Sequence, residues 1–333
     1  MDRKNYNVKF CVFLGRKNNI KILHSYINLA LQYDVIDEYH MYNFSRNIED
    51  NQFIISEFNR LNEIYNNRIF LWNSKENFIR TKTDWSFFYK NISQLYENDI
   101  IIKCDDDILF IDINELHNAI LDRINDNISF VIHSNCINNG VCAYYQKHLF
   151  PKLTTELSVY PIGGILGILF EKPEIAYALH DHFCIDILKN IDNLNNYKIK
   201  NEYITTRISI NFILLRGNDL KYLKDIDYED EYELTSFIPE QLDRPNKIYG
   251  NLLTSHLSYN FQEKILLNNN QKIFTHYNNI KEIYLKYFIY KPNIISIPLS
   301  NNIPPQPNYY INENNEKIYK IYNFHKENEY YIK

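Results

Sequence analysis

The chain has 333 residues, a hydrophobic share of 45%, a charged share of 23% and a formal net charge of -5. That length suits one large domain or two modest ones around a buried core, and the composition is that of a soluble globular protein. The mild acidity argues against nucleic acid as a partner, no window of about 18 apolar residues offers a membrane span, and the charged start MDRKNYNVKF carries no secretory leader.

The cysteines Cys11, Cys104, Cys136, Cys142 and Cys184 include no CxxC pair and lie in apolar stretches, so they read as small hydrophobes in a reducing, cytoplasmic compartment. Heavy use of Asn, Ile, Lys and Tyr with only 7 glycines looks like an AT-rich coding background, which makes each glycine more informative.

Val8 to Gly15, VKFCVFLG, is a compact apolar run closed by glycine and reads as a buried first strand. Arg16 follows, then apolar residues at helical spacing from Ile20 to Tyr33. A strand, a basic loop and a helix make a natural entry for a nucleotide diphosphate, with Leu14, Gly15 and Arg16 at the turn; an ordinary strand-to-helix turn fits equally. Glu38–Phe44 and Arg68–Trp72 read as strands, with a helix around Asn51–Tyr65 between them. Trp85–Tyr96 reads as a helix in which Trp85 is core first and sugar platform second.

The central stretch is DIIIKCDDDILFID, from Asp99 to Asp112. An apolar strand ends in Asp105, Asp106 and Asp107, and a second apolar group follows at once. Adjacent carboxylates beyond a buried strand repel and lose hydration, and a divalent cation is the simplest compensation. A solvated acidic turn is the plain alternative. The alternation of strands and helices is that of a doubly wound α/β fold, whose ligands gather beyond the carboxyl ends of the strands.

Further on, Ile113–Ile124 reads as a helix and Ser129–His133 as a strand, with His133-Ser134-Asn135 just past its end. That polar group suits a hydroxyl-rich ligand, or plain turn chemistry. Tyr160–Phe170 holds three glycines, for a close backbone approach to a ligand or a neighbouring element. His180 and His182, two apart on a helix, serve a shared ion badly. Ile204–Arg216 reads as a helix presenting Arg207 and Asn211 on one face. Tyr228–Leu234, YEDEYEL, is an acidic run, usually a solvated face. His256 stands in GNLLTSHLSY, and the Pro-rich tail after residue 291 reads as an extended strap or a mobile appendage.

Taken in this order, VFLGR, KCDDDILFID, HSNCINNG, TRISIN, YEDEYEL and SHLSYNFQ resemble the metal-dependent glycosyltransferases of the GT-A type, over roughly residues 8 to 290. The resemblance implies a GT-A-like, mostly parallel central sheet with helices on both faces. It divides residues 1–290 into a nucleotide-sugar half (about 1–135) and an acceptor half (about 136–290), leaving a tail at 291–333. It further implies that Asp105 and Asp107, with His256, hold Mn2+ or Mg2+, and that Leu14, Gly15, Arg16, Lys103, Asp105 and Asp106 line the donor, a UDP-sugar. Asp230 or Glu231 would be the base of an inverting transfer. His133, Asn135, Arg207, Asn211 and Trp85 would meet donor sugar or a glycan or glycoconjugate acceptor. Tyr309-Tyr310 offers a surface for a homo-oligomer.

The residue types suit that chemistry: carboxylates and an imidazole favour Mn2+, and a carboxylate can take the proton of an attacking hydroxyl. Two rival classes share parts of the pattern. A nucleotidyltransferase would need a glycine-rich phosphate loop where only Gly15 stands. A protein that keeps the fold and binds nucleotide-sugars or glycans without turnover needs nothing more.

Overall fold

The computed structural model describes residues 5–45, 47–73, 88–89, 99–150, 168–223, 229–259, 262 and 271–288, with three further strands at 309–311, 317–322 and 329–332. It is a mixed α/β fold around one nine-stranded sheet. The first part alternates as its periodicity requires: β1 (Val8–Leu14), α1 (Lys17–Gln32), β2 (Glu38–Asn43), α2 (Ile48–Tyr65), β3 (Ile69–Asn73) and β4 (Ile100–Asp105). There follow β5 (Ile108–Ile111), α3 (Ile113–Asn125), β6 (Ile132–Ile137), α4 (Gly140–Gln146), α5 (Pro173–Lys189), β7 (Glu202–Ile204) and β8 (Phe212–Arg216). The main body closes with α6 (Ile238–Leu242), β9 (Asn246–His256) and α7 (Gln271–Tyr287).

The strand order is β3-β2-β1-β4-β8-β6-β9-β5, with β7 also on β9. Strands β1 to β4, β6 and β9 run one way, while β5, β7 and β8 run the other, so the sheet is mostly parallel. The ends of β1, β4, β6 and β9 and the start of β8 therefore share one edge. That edge is where a doubly wound sheet leaves backbone groups open to a ligand.

Strand periodicity assigns the two faces. Val8, Phe10 and Val12 of β1 and Ile100, Ile102 and Cys104 of β4 join the larger core, under α1, α3, α5 and α7. Cys11, Ile101, Ile213 and Leu215 point the other way, against Phe88, Tyr89, Leu220, Leu223, Leu234 and Ile238. Helix α1 buries Ile20, Leu23, Tyr26, Ile27, Ala30 and Leu31 on one side, as its i, i+3, i+4 spacing demands. It has no side-chain cap of its own; Asp50 in the first turn of α2 accepts from the Lys17 amide at 2.9 Å. Asn47 in turn caps α2, accepting from the Asp50 amide at 2.8 Å.

Several expectations shift. Residues 204–216 are no helix: β7 ends at Ile204, residues 205–211 are irregular, and β8 begins at Phe212. The alternation Ile208, Ile210, Phe212 is strand-like, and the apolar run behind it fills the sheet centre. The strand expected at Ser129–His133 lies later, so His133, Ser134 and Asn135 are inside β6 rather than beyond it. A division near residue 135 would cut β6, and the two halves share one sheet. In the tail, strands β10 (Tyr309–Ile311), β11 (Lys317–Tyr322) and β12 (Glu329–Ile332) pair antiparallel where an extended strap or a mobile appendage was expected. Of the helix expected over Trp85–Tyr96, Phe88 and Tyr89 are described, both helical; Trp85 and residues 151–167 lie outside the described residues.

Candidate functional site

The three acids at the end of β4 divide into two groups. Asp106 and Asp107 turn toward the end of β1 and are buried. The Gly15 amide donates to Asp106 Oδ2 at 2.8 Å, and Arg16 Nε donates to Asp106 Oδ1 at 3.0 Å. The Arg16 Nη2 group also contacts Asp106 and reaches Asp107 Oδ2 at 2.8 Å, so one guanidinium bridges both carboxylates. His256, the last residue of β9, faces Ile108 in register and places Nε2 3.4 Å from Asp107 Oδ2. Two buried atoms here make no hydrogen bond, Asp107 Oδ1 and His256 Nδ1.

Burial raises the Asp107 carboxyl, but Arg16 and His256 more than reverse this and hold it well below the usual carboxylate range. Asp106 goes the other way: burial, with Asp107 alongside, outweighs Arg16 and the Gly15 amide and raises it. Two carboxylates sharing one cation release their protons in separate steps.

Asp105 belongs to the second group. Its Oδ1 accepts from Lys103 Nζ at 2.9 Å and its Oδ2 from Asn211 Nδ2 at 3.2 Å. The Lys103 ammonium is 2% exposed, bonded also to the Ile210 carbonyl and set over the Phe13 ring. Burial lowers its pKa, yet Asp105 and Asp230 outweigh this and raise it. Asp230 accepts from the Tyr89 hydroxyl at 3.1 Å; burial pushes its carboxyl up, with Lys103 only partly opposing. Glu231 is clamped by Arg207 Nε at 2.7 Å, and burial still raises it. Arg207 also reaches Glu229 at 3.3 Å.

A chain of contacts joins the groups. The His256 ring packs edge-on to Tyr259 with centroids 4.7 Å apart, and the Tyr259 hydroxyl donates to Ser209 Oγ at 2.9 Å. The backbone beside His256 is fixed from two directions. His180 Nε2 donates to the Leu257 carbonyl at 2.9 Å while its Nδ1 accepts from the Tyr277 hydroxyl at 2.7 Å, and Asn138 Nδ2 donates to the same carbonyl at 3.2 Å. His180 is thus spent on structure, and His182 is exposed against Phe150.

The expected residues therefore meet in part. Gly15, Arg16, Lys103, Asp105, Asp106, Asp107, Asn211 and His256 lie along one sheet edge, with Asp230, Glu231 and Arg207 beside Lys103, Asp105 and each other. Leu14 is wholly buried, its carbonyl accepting from the Phe44 amide at 2.7 Å, so it supports the turn. Asn135 is also a scaffold residue: it donates to the Tyr197 and Gly250 carbonyls and accepts from Gln146, with no exposed surface. His133 is buried on the face of Ile213, next to the Ser209 backbone, and burial lowers its pKa to about 3. It stands there as a neutral imidazole, not a surface ligand. Tyr89, Ser209 and Tyr259 were not foreseen, because nothing local distinguishes one tyrosine among 29.

As a cation site, the cluster offers a pair of protein ligands. Asp107 and His256 are adjacent and each keeps an unbonded atom, while Asp105 is engaged by Lys103 and Asn211. Among the described residues, no three His, Cys, Asp or Glu side chains converge on one metal position. A pair fits Mg2+ or Mn2+ where phosphate oxygens and water complete the shell. Among the described residues no helix is long and apolar enough to cross a membrane. No known family model matches the chain, and no curated protein matches it.

Proposed function

We propose that this protein is a glycosyltransferase of the GT-A type. It moves a sugar from a nucleotide-diphosphate sugar, a UDP-sugar in the first instance, to a hydroxyl of a glycan or glycoconjugate. Mn2+ or Mg2+ would be held by Asp107 and His256. The observation that carries the reading is the excess of acids over bases at the sheet edge. Four carboxyl groups, Asp105, Asp106, Asp107 and Asp230, stand against two basic side chains, Arg16 and Lys103, and Asp107 Oδ1 and His256 Nδ1 are buried without a hydrogen bond.

A bound divalent cation would neutralise the departing diphosphate as a Lewis acid. The chain's own residues do the rest. Arg16 presents a planar fork to phosphate oxygens. Lys103 holds the Asp105 carboxylate in place, where it can accept a hydroxyl of the donor. Asp230, raised by burial and oriented by Tyr89, takes the acceptor proton as the acceptor oxygen bonds to the anomeric carbon and the bond to diphosphate breaks. Arg207 with Glu231 and Glu229 forms a polar wall beside that base.

Thermal stabilisation by UDP-, GDP-, TDP- and CMP-sugars, with and without Mn2+, tests the reading. A ligand at one hundred times its Kd adds about 2.7 kcal/mol to the native state. A Mn2+-dependent rise with one nucleotide base, lost in Asp107→Asn, is expected; no shift with any donor overturns it. The double contact of Arg16 with Asp106 and Asp107 favours a second reading, a nucleotide-sugar binder without turnover. Release of nucleotide diphosphate separates the two.

A further inference from the structure

The guanidinium of Arg16 lies where the cation charge is required. It spans Asp106 Oδ1 and Asp107 Oδ2, and Asp107 also faces His256 Nε2 at 3.4 Å. The side chain of Arg16 is 19% exposed while those of Asp106 and Asp107 are each 6% exposed, so the arginine forms the outer surface over the buried acids. It is also the residue directly after Gly15, at the loop where β1 opens into α1.

From this geometry we infer that Arg16 is a placeholder for the cation: its guanidinium holds Asp106 and Asp107 together and must leave them for a metal to bind there. The inference rests on the glycosyltransferase reading for what draws Arg16 away, the diphosphate of the donor. A guanidinium bridging two carboxylates has an equally good partner in a diphosphate, which offers the same paired oxygens at the same charge. The exchange moves no covalent bond. Arg16 would pass from carboxylate to phosphate, and Asp107 Oδ2, freed beside the unbonded Oδ1, would be open to hold the cation. Cation and donor then bind as a coupled pair, each raising the other's affinity by the same factor. A metal ion alone meets carboxylates that the guanidinium already engages.

The decisive measurement is direct binding of Mn2+ alone, by electron paramagnetic resonance of the free ion, to wild type, Arg16→Gln and Arg16→Lys. Arg16→Lys guards against loss of fold in the glutamine variant, because an ammonium compensates one carboxylate without bridging both. Wild type should bind Mn2+ alone weakly. Arg16→Gln should bind it at least about 10-fold more tightly, within the usual range of coupling energies, with Arg16→Lys between. The Asp107→Asn/Arg16→Gln double variant should lose the gain, which places the ion at this site. Addition of UDP should tighten Mn2+ binding to wild type and do much less for Arg16→Gln. If wild type and both Arg16 variants bind Mn2+ alone equally, and Asp107→Asn abolishes it, the placeholder inference is overturned while the transferase reading stands. If none binds Mn2+ with or without UDP, that reading fails and takes the inference with it.

Discussion

The amide of Gly15 donates to Oδ2 of Asp106 at 2.8 Å, which ties the end of β1 to the turn after β4 through a glycine that could be nothing larger. A Cβ on Gly15 would stand 2.8 Å from the Phe44 carbonyl oxygen, backbone that cannot give way as a flexible side chain would. Gly15→Ala should therefore push β1 from β2 at their ends and lengthen the contact with Asp106. The expected cost is about 1–3 kcal/mol, the usual penalty of overpacking, read as a lowered urea midpoint. An unchanged midpoint would mean that the strand ends yield freely.

A second relationship sets a pH dependence. The Tyr284 hydroxyl donates to Asp112 Oδ1 at 3.0 Å and accepts from the Ile113 amide at 2.8 Å, so α7 supplies the cap that Asp112 itself does not give α3. Burial, with Glu115 nearby, pushes Asp112 from an ordinary 3.8 up to about 6. The fold thus favours the protonated acid: the associated stability is full below the unfolded value and is lost as pH rises through about 6. Asp112→Asn keeps an acceptor for Tyr284 without the charge. It should stabilise the protein by about 1–3 kcal/mol at pH 7.5 and by little near pH 4. Urea unfolding at the two values checks the difference, and a gain of the same size at both would contradict the assignment.

Asp230 and Glu231 are adjacent yet differently held, and their substitutions should differ. If the protein is the glycosyltransferase proposed above, Asp230→Asn should lower donor turnover by about 100-fold or more with donor binding little changed, as removal of a general base does. The Tyr89 hydroxyl stabilises the ionised form of Asp230, so Tyr89→Phe should raise that pKa and move the acidic limb of the pH–rate profile upward. Glu231→Gln, which leaves Arg207 a neutral partner, should act chiefly on acceptor KM. Equal loss from both acid substitutions, with an unmoved limb in Tyr89→Phe, would remove Asp230 from its role.

The periodicities that were legible are those in which apolar residues decide the element. Strands β1, β2 and β4 and helix α1 follow from runs and stripes that have to be buried. The same logic failed where polar residues are buried by pairing with one another. In β6, Ser134 bonds Thr254 at 2.7 Å and Asn135 bonds the Tyr197 and Gly250 carbonyls, so a strand core reads in the sequence as a turn. It failed again at Ile204–Arg216, where Ile204 and Ile208 mimic a helical stripe. Of the candidate site, the acids after β4 and the Gly15-Arg16 turn were visible because a buried strand led directly into charge. The split of Asp105 from Asp106 and Asp107 was not, because it depends on which side of β4 each faces and on Lys103, Asn211 and Arg16 reaching them. Tyr89 and Tyr259 become distinctive only through partners far away in the chain.

Strand β4 is gripped by β1, made long before it, and by β8, made long after, with Ile100 opposite Val8 on one side and Arg216 on the other. On a ribosome the acids of β4 emerge with Arg16 already synthesised, but Lys103 gains its Ile210 carbonyl, and Asp107 its histidine, only near the end of the main body. Long-range pairing of this kind is slow to form. A chain that ends before Ile210 would therefore lack both Ile210 and His256, and with them partners that hold Lys103 and Asp107.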